Sequence, residues 1–242
     1  MKNNNFLMGI VLTIMMSGFL YGCTAYAEVV KGSGNVVLKE RNIDSFTQLK
    51  VNGVFNLIVS QGEKESLTIE ADDNLIDLIE TQNDGNVLII KQKKESNIKP
   101  TKFNVYVTVK DLEKMETSSV GDMLTKTPLN LKVFELSSSC VGNIEFEINC
   151  EKFTAKIHSV GDLNLKGKAN ETTIINSSVG KISAFDFVSD NLILDNSGVG
   201  DVEVFAEKEI SIESNGVGNV SYKGNAVVKN MKNKGVGKVK KV

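Results

Sequence analysis

Three aspartates recur at equivalent places in the second half of the chain and could supply acid–base chemistry. They belong to a column of residues that directly follow a repeated glycine: Asp122, Asn143, Asp162, Lys181, Asp201, Asn219 and Lys238. Paired carboxylates at a suitable distance hydrolyse glycosidic bonds. If each repeat forms one coil of a stacked β-structure, no two of these carboxylates lie on adjacent coils, and Asp122 and Asp162 would be about 9–10 Å apart. We therefore interpret the column as solvated corner residues, and a carbohydrate-active enzyme stays as the alternative.

The single histidine and the cysteines of the second half offer little further chemistry. His158 lacks partners for a catalytic triad or a metal site, and we expect it at an exposed strand end. Cys140 takes a repeat position that is otherwise Ser or Gly, which indicates a small inward-facing residue rather than a disulfide with Cys150. No catalytic, metal or cofactor-binding residue is predicted.

Composition limits the class of protein. The 242 residues are 41% hydrophobic and 24% charged, which suits a packed core and argues against wholesale disorder. The formal net charge of −2 provides no field for nucleic acid, so nucleic acid is not an expected partner.

An internal repeat is the strongest signal in the chain. A small residue, Val and Gly recur seven times, and the glycines are separated by 21, 19, 19, 20, 18 and 19 residues. These glycines are Gly121, Gly142, Gly161, Gly180, Gly200, Gly218 and Gly237. Repeats of this length are too short for βαβ units, which need about 30 residues, and propeller blades need about 40.

The residues around each glycine predict two strands joined by a corner. Apolar residues lie two and four positions after most of the glycines and six before them, as in strands with one buried face. We therefore expect an all-β fold, a right-handed parallel β-helix-like solenoid with coils of about 19 residues and a polar return in each coil. The glycine is interpreted as a structural corner, small inside and polar outside, and an Asn/Ser column four residues before it as a side-chain ladder. An antiparallel meander is the less economical alternative.

The section before the repeats is β-rich but irregular, and we assign residues 28–115 to it and 116–242 to the repeats. The candidate strands are Val36–Lys39, Gln48–Val51, Phe55–Ser60, Leu67–Glu70, Val87–Lys91 and Phe103–Val109. Residues 73–80 could form a short helix capped by Asp72 or Asp73, and Asp84-Gly85 indicates a turn. Residues 96–101 read as a loop. This section is expected to cover the first coil, whose exposed edge would otherwise invite aggregation.

Six lysines crowd the last repeat: Lys229, Lys232, Lys234, Lys238, Lys240 and Lys241. Lysines on an exposed strand edge protect against edge-to-edge pairing, and that is the preferred interpretation. A patch for phosphate, an anionic glycan or lipid is the alternative.

Residues 1–27 are interpreted as an export signal. The apolar run of residues 6–20 is short for a membrane-spanning helix, which needs about 20 residues. Leu20-Tyr21-Gly22-Cys23 resembles a lipobox, which predicts lipidation of Cys23, whereas Ala25-Tyr26-Ala27 suits ordinary signal peptidase. Lipidation is preferred because a cysteine lies directly after the apolar run, and every cleavage reading places the mature chain outside the cytoplasm.

Several motifs together resemble a known family. They are Gly32-Ser33-Gly34-Asn35, Val51-Asn52-Gly53-Val54-Phe55-Asn56-Leu57, Leu67-Thr68-Ile69-Glu70-Ala71-Asp72-Asp73-Asn74-Leu75 and the repeated Gly-Val-Gly-Asn/Asp. Over residues 32–240 the chain resembles the putative auto-transporter adhesin, head GIN domain family. The resemblance implies an exported bacterial β-solenoid, often a lipoprotein, and it carries over no catalytic residue.

These observations favour a non-catalytic cell-envelope or surface module with an adhesin-like role. Its partner is unknown and could be a glycan or an envelope protein, with membrane attachment through a lipid on Cys23. The location expected is that of an outer membrane-associated lipoprotein, periplasmic or at the cell surface. The alternatives are a polysaccharide lyase or hydrolase and a purely structural envelope lipoprotein.

Overall fold

The computed structural model describes residues 29–93 and 97–242, so the predicted signal segment and Cys23 lie outside the described residues. The described chain is built of strands with a single 3₁₀ turn, Ile76–Leu78. The strands are β1 Val29–Lys31, β2 Val36–Arg41, β3 Gln48–Val54, β4 Asn56–Gln61, β5 Ser66–Asp72, β6 Ile79–Asp84, β7 Val87–Gln92, β8 Asn97–Lys99, β9 Phe103–Val109, β10 Lys114–Val120, β11 Met123–Thr125, β12 Leu129–Asn130, β13 Val133–Ser138, β14 Ile144–Ile157, β15 Leu163–Asn176, β16 Ile182–Asn196, β17 Val202–Ser214, β18 Val220–Lys223, β19 Val227–Asn233 and β20 Val239–Lys241.

Successive repeats stack as coils of a parallel β-solenoid, which confirms the predicted fold class. From β10 to β20 every inter-coil pairing is parallel, and most of it keeps one register. The corner valines form parallel bridges from coil to coil, for example Val141 to Val160 and Val160 to Val179. The predicted polar return is wrong for β14 to β17, because each of these strands runs through the return as 13 to 15 continuous residues.

The corner places its small residue inside and its valine outside. Ser159 is 3% exposed, whereas Val160 is 52% exposed. The other corner valines of the solenoid are also exposed. The outer corner is polar at the residue after the glycine, as predicted, but apolar at the valine, because the valine alternates in direction with the buried residue before it.

Inside the coils lie an aromatic stack and a polar ladder. Phe153 is fully buried, with its ring 5.9 Å from that of Phe134 and 5.5 Å from that of Phe187. The predicted Asn/Ser ladder is present: Asn176 Nδ2 donates to Asn196 Oδ1 at 2.7 Å, and both side chains are buried. Buried amides need such partners, so the stacked copies satisfy one another.

The N-terminal section continues the solenoid and covers its first repeat coil. β3 pairs in parallel with β10, so that Val54 lies beside Val120 and Phe55 follows where the repeats carry Gly. On the other side β7 and β9 pair in parallel with β3 and β4. Antiparallel strands then flank this outermost coil, since β6 pairs with β7, β5 with β9, and β2 with β5.

Two local predictions in this section are wrong. Residues 73–80 do not form a helix with an Asp72 or Asp73 cap, because only Ile76–Leu78 make a 3₁₀ turn and the chain then enters β6. The hairpin of β6 and β7 around Gly85 draws this segment into the sheet. Within the predicted loop 96–101, Asn97–Lys99 forms β8, which pairs in parallel with β1.

The six candidate strands of this section are confirmed. Phe103–Val109 has the predicted bounds, and the other five are extended or shifted by one to three residues at their ends. The alternating pattern located them because their buried residues face one continuous core.

Candidate functional site

The aspartate column that follows the corner glycines forms a hydrogen-bonded ladder at the exposed corner. Asp122 Oδ1 accepts the backbone N–H of Asn143 at 2.8 Å, and Asp162 Oδ1 accepts that of Lys181 at 2.8 Å. Asn143 and Asp201 accept the equivalent N–H groups of the next coils. Each of these side chains therefore holds the corner of the following coil, which favours the structural interpretation over acid catalysis.

The other residues singled out for chemistry also have structural surroundings. His158 is exposed just after β14, and its Nδ1 forms a hydrogen bond with Ser177 Oγ, as expected for a strand-end residue. Cys140 and Cys150 are both free, and Cys140 is buried between Thr117 and Ser119, which confirms its role as an inward filler. Burial raises the pKa of the Cys150 thiol to about 11, so it is protonated at neutral pH.

An open groove of about 560 Å³ lies across the outer faces of β11 and β14 to β18. Its outward side chains, here called the groove residues, are Thr125, Glu145, Glu147, Asn164, Lys166, Ser183, Phe185, Asp186, Glu203 and Lys223. Four are acidic and two basic, so the groove is acidic on balance. It combines one aromatic ring with closely spaced hydrogen-bonding groups.

A bulge in β16 creates the aromatic part of the groove. The pairing of β16 with β17 shifts register between Ala184 and Val188, and β-bulges redirect side chains at such points. Phe185 is half-buried on the outer surface, and the Lys223 ammonium lies 4.1 Å from its ring centroid. A cation–π contact of this kind positions Lys223 at the groove wall.

The groove carboxylates are separated by other side chains along the stack. Glu147 pairs in register with Lys166, and Lys166 with Asp186, so a lysine lies between the two acids. At the far wall, Glu203 forms an ion pair of 2.9 Å with Lys181. The described residues contain no group of three or more His, Cys, Asp or Glu side chains that could hold a metal ion.

Sequence reasoning did not find this groove, although one signal for it existed. The spacing between Gly180 and Gly200 is 20 residues, whereas the next spacing is 18. The longer coil contains Phe185, Asp186 and Phe187, where the bulge forms. This coil is one residue longer than the usual spacing of 19, and the extra length lies in the coil that carries the bulge.

A second outer feature is the valine ridge, formed by the corner valines of successive coils. Its members are Val54, Val120, Val141, Val160, Val179, Val199, Val217 and Val236, all of them exposed. Rows of exposed Ser and of Asp or Asn side chains flank it. Contiguous apolar surface on a soluble fold often marks an interaction site, so the ridge adds a linear apolar element to the outer face.

A polar anchor lies in the N-terminal section, residues 28–115, here called the cap. It joins the motif at residues 32–35 to the motif at residues 67–75. Asp72 is fully buried and accepts the backbone N–H groups of Gly34 and Thr101, each at 2.8 Å. The neighbouring Asp73 accepts hydrogen bonds from Ser33 Oγ and Asn35 Nδ2, and these bonds lower the pKa of the Asp73 carboxyl. The anchor fastens the beginning of the described chain to the capped end of the solenoid.

Glu70 carries the most strongly shifted carboxyl of the cap. Hydrogen bonds from Lys102 at 2.8 Å and from Tyr106 at 2.7 Å lower the pKa of Glu70 from its ordinary value of 4.5 to about 2. The hydrogen bond between Tyr106 and Glu70 also raises the pKa of the Tyr106 hydroxyl. Because folding favours ionised Glu70, its stabilising contribution is complete above pH 4.5 and is lost as the pH falls toward about 2.

We expect the Glu70→Gln variant to be less stable than the wild type at neutral pH, because the amide lacks the charge that Lys102 pairs with. The difference in free energy of unfolding should shrink as the pH falls from 4.5 to about 2. Urea titrations at several pH values measure it. Glu145→Gln, an exposed acid outside the cap, serves as the control and should be as stable as the wild type at neutral pH. A difference for Glu70→Gln that does not change with pH would contradict the prediction.

The fold and surface together define a capped parallel β-solenoid with an open, polar groove. The model of the family described as "Putative auto-transporter adhesin, head GIN domain" matches residues 45–226. The chain therefore belongs to this family, and the resemblance read from the motifs is confirmed. A comparison with curated proteins found no match.

Solved structures of similar proteins share the fold. A "putative adhesin" from Bacteroides fragilis is 26% identical, with a TM-score of 0.84 over 88% of this chain and 100% of its own. A "putative lipid binding protein" from Parabacteroides distasonis is 19% identical, with a TM-score of 0.70 over 88% and 100%. A "putative adhesin" from Parabacteroides merdae is 22% identical, with a TM-score of 0.58 over 88% and 99%. The family and the first of these structures suggest an exported or surface protein with an adhesin-like role.

Proposed function

We propose that the protein is a non-catalytic, adhesin-like module of the cell envelope that binds a glycan in the β14–β18 groove. The observation that carries the proposal is the groove itself, in which the half-buried Phe185 ring is set among carboxylate, amide and hydroxyl groups. Hydroxyl-rich ligands need such paired donors and acceptors, together with an apolar surface for the sugar ring. The acidic balance of the groove favours a neutral or amine-bearing glycan over an anionic one.

A binding role is favoured over catalysis by the arrangement of charges. Glycosidases use two carboxyl groups on either side of the scissile bond. In this groove a lysine separates Glu147 from Asp186 in the stack, and Lys181 pairs with Glu203. The corner aspartates hold backbone N–H groups of neighbouring coils.

The test is a glycan array probed with the chain from residue 28 onward, followed by calorimetry on any glycan retained. We expect Phe185→Ala to weaken binding by about tenfold, because it removes the aromatic contact surface. Ile193→Ala, an exposed apolar residue on the same strand but outside the groove, should bind like the wild type. Cleavage of a bound glycan, or binding that Phe185→Ala leaves unchanged, would overturn the proposal.

The proposed location is the outer part of the cell envelope, with the chain attached through a lipid on Cys23. The described residues contain no helix long and apolar enough to cross a membrane. Support comes from the lipobox-like Leu20-Tyr21-Gly22-Cys23 and from the family, whose members suggest export. The polar anchor at Asp72 would then fasten the tethered end of the chain to the cap.

We expect labelled palmitate to enter the wild-type protein in growing cells and to be absent from Cys23→Ala. The reason is that diacylglyceryl transfer needs the cysteine thiol, and the chain offers no second cysteine near that segment. Cys150→Ala, with its thiol on the folded solenoid, is the matched control and should label normally. Equal labelling of Cys23→Ala and the wild type would refute lipidation at this residue.

A further inference from the structure

The valine ridge and the two columns beside it form one continuous exposed surface, here called the corner strip. Val54 lies in register with Val120, and parallel bridges then join each corner valine to the next as far as Val236. One flank of the ridge carries a serine-rich column: Asn52, Ser118, Ser139, His158, Ser177, Ser197, Asn215 and Lys234. The other flank carries the corner column: Asn56, Asp122, Asn143, Asp162, Lys181, Asp201, Asn219 and Lys238.

Only side chains are available for binding on the corner strip, because its backbone is engaged between coils. Val141 N–H donates to Ser119 C=O, and Val141 C=O accepts the N–H of Gly121, each at 2.9 Å. The same two bonds recur at Val160 and Val179. A partner therefore cannot add to the strip as a further strand and must match the pattern of its side chains.

The acids of the corner column lie on every second coil. The coils that carry Asp122, Asp162 and Asp201 are separated by those that carry Asn143 and Lys181. A second copy that faces the strip in the antiparallel direction brings the same alternation in reverse order. A two-fold axis that passes between two coils then places every acid opposite an amide or a lysine. An axis that passes through a coil would place acid opposite acid or lysine opposite lysine.

The axis that overlaps all of the coils lies between those of Val160 and Val179. It places Asp162 opposite Lys181 of the partner subunit, and symmetry repeats this pair. Lys181 also pairs with Glu203 at 2.9 Å, and its ammonium has donors for both carboxylates. In the same arrangement Asp122 lies opposite Asn219 of the partner subunit, and Asp201 lies opposite Asn143 of the partner subunit. No like charges meet in the corner column.

The serine-rich column favours the antiparallel arrangement over a parallel one. In antiparallel pairing Lys234 lies opposite Asn52 of the partner subunit, and Ser139 lies opposite Ser197 of the partner subunit. Parallel pairing would instead set the serine-rich column against the corner column, so that Lys234 faced Lys238 of the partner subunit twice. Like charges in direct opposition disfavour that orientation.

The corner strip is large enough for an interface. Its eight valines span about 34 Å along the stack, and its outer columns are about 13 Å apart along the chain. Two strips in contact would bury on the order of 1,000 Å² in total, which is the lower limit for a specific protein–protein interface. Val160 and Val179, at the centre, are 52% and 51% exposed, so pairing would remove apolar surface from water.

We propose that the corner strip is a self-association interface, through which two copies of the chain pair antiparallel about a two-fold axis between the coils of Val160 and Val179. The valines of the two copies pack together, and the flanking columns supply the matched polar rim. A membrane surface is disfavoured because it would also desolvate the aspartates beside the valines. None of the strip residues lines the groove, so the test is independent of glycan binding.

The test is sedimentation equilibrium of the chain from residue 28 onward, at concentrations up to about 1 mM. We expect a reversible monomer–dimer equilibrium of modest affinity. Val160→Asp should raise the dissociation constant at least about tenfold, because it places a charge opposite Val179 of the partner subunit. Ile193→Asp, at an exposed apolar residue outside the strip, should dimerise like the wild type. A chain that stays monomeric, or a dimer that Val160→Asp leaves equally tight, would overturn the proposal.

The orientation is tested by cross-linking Val120→Cys and Val217→Cys with a short bis-maleimide, each in a Cys150→Ala background in which the remaining Cys140 is buried. A mixture of the two variants should cross-link, because Val120 lies opposite Val217 of the partner subunit. Val120→Cys alone should not, because its two copies would be five coils, about 24 Å, apart. Cross-linking of Val120→Cys alone, or a dimer in which the mixture fails to cross-link, would overturn antiparallel pairing in this register.

Discussion

The Gly180→Ala variant is expected to lose about 3–5 kcal/mol of stability, enough to unfold much of the solenoid. A Cβ at this position would lie 2.1 Å from the carbonyl oxygen of Gly161 in the coil before, and the backbone has φ of +146°. Both residues in that contact have backbone held by inter-coil hydrogen bonds, such as Gly161 N–H to Val179 C=O and Gly180 N–H to Val199 C=O, each at 2.9 Å. The clash between the Cβ and this carbonyl oxygen could be relieved only if the two coils moved apart.

Urea unfolding followed by circular dichroism measures this loss, and Gly85→Ala is the matched control. Gly85 also has a positive φ, +58°, but no atom lies within 4 Å of its would-be Cβ. We expect the control to lose about 1 kcal/mol, the cost of the backbone conformation alone. Equal losses in the two variants would show that crowding between coils contributes nothing at the corner.

The same corner shows why the sequence predicts the fold so well. Stacked coils place one residue type at each position of a column, because its neighbours above and below are copies of itself. Ser119, Cys140 and Ser159 are alike because each fills the same buried corner. Seven equivalent residues in one column are compatible with few folds other than coils stacked in parallel.

Local structure in the cap was less predictable because no such copies constrain it. Leu75, Ile76 and Ile79 have the spacing of a helical turn, and all three are buried. The following residues pair with β7, and tertiary pairing prevails over a short helical pattern. Asp72 is one of the two predicted helix caps, but its hydrogen bonds to Gly34 and Thr101 join segments far apart in sequence.

The groove lay beyond sequence reasoning for a related reason. Its residues come from β11 and from β14 to β18, and only their outward direction and the bulge in β16 bring them into one cleft. The outward positions that line the groove differ from coil to coil, unlike the exposed corner valines, because no contact between coils constrains them. The repeat therefore identifies the inner columns and the corner well and the groove positions poorly, and the proposed partner-binding residues belong to the groove.

Truncation of Phe153 to alanine is expected to cost about 3–5 kcal/mol, the range for a fully buried phenylalanine. Its ring contacts those of Phe134 and Phe187, so the cavity would open between coils and not at an end. Phe185→Ala removes an equal volume from the surface and should cost less than about 1 kcal/mol. Because solenoid coils are coupled mainly to their neighbours, the loss should be unevenly distributed. Hydrogen exchange should accelerate most in β13 to β16 and least in β7 and β9. Uniform acceleration along the chain would mean that the solenoid and its cap unfold as one cooperative unit.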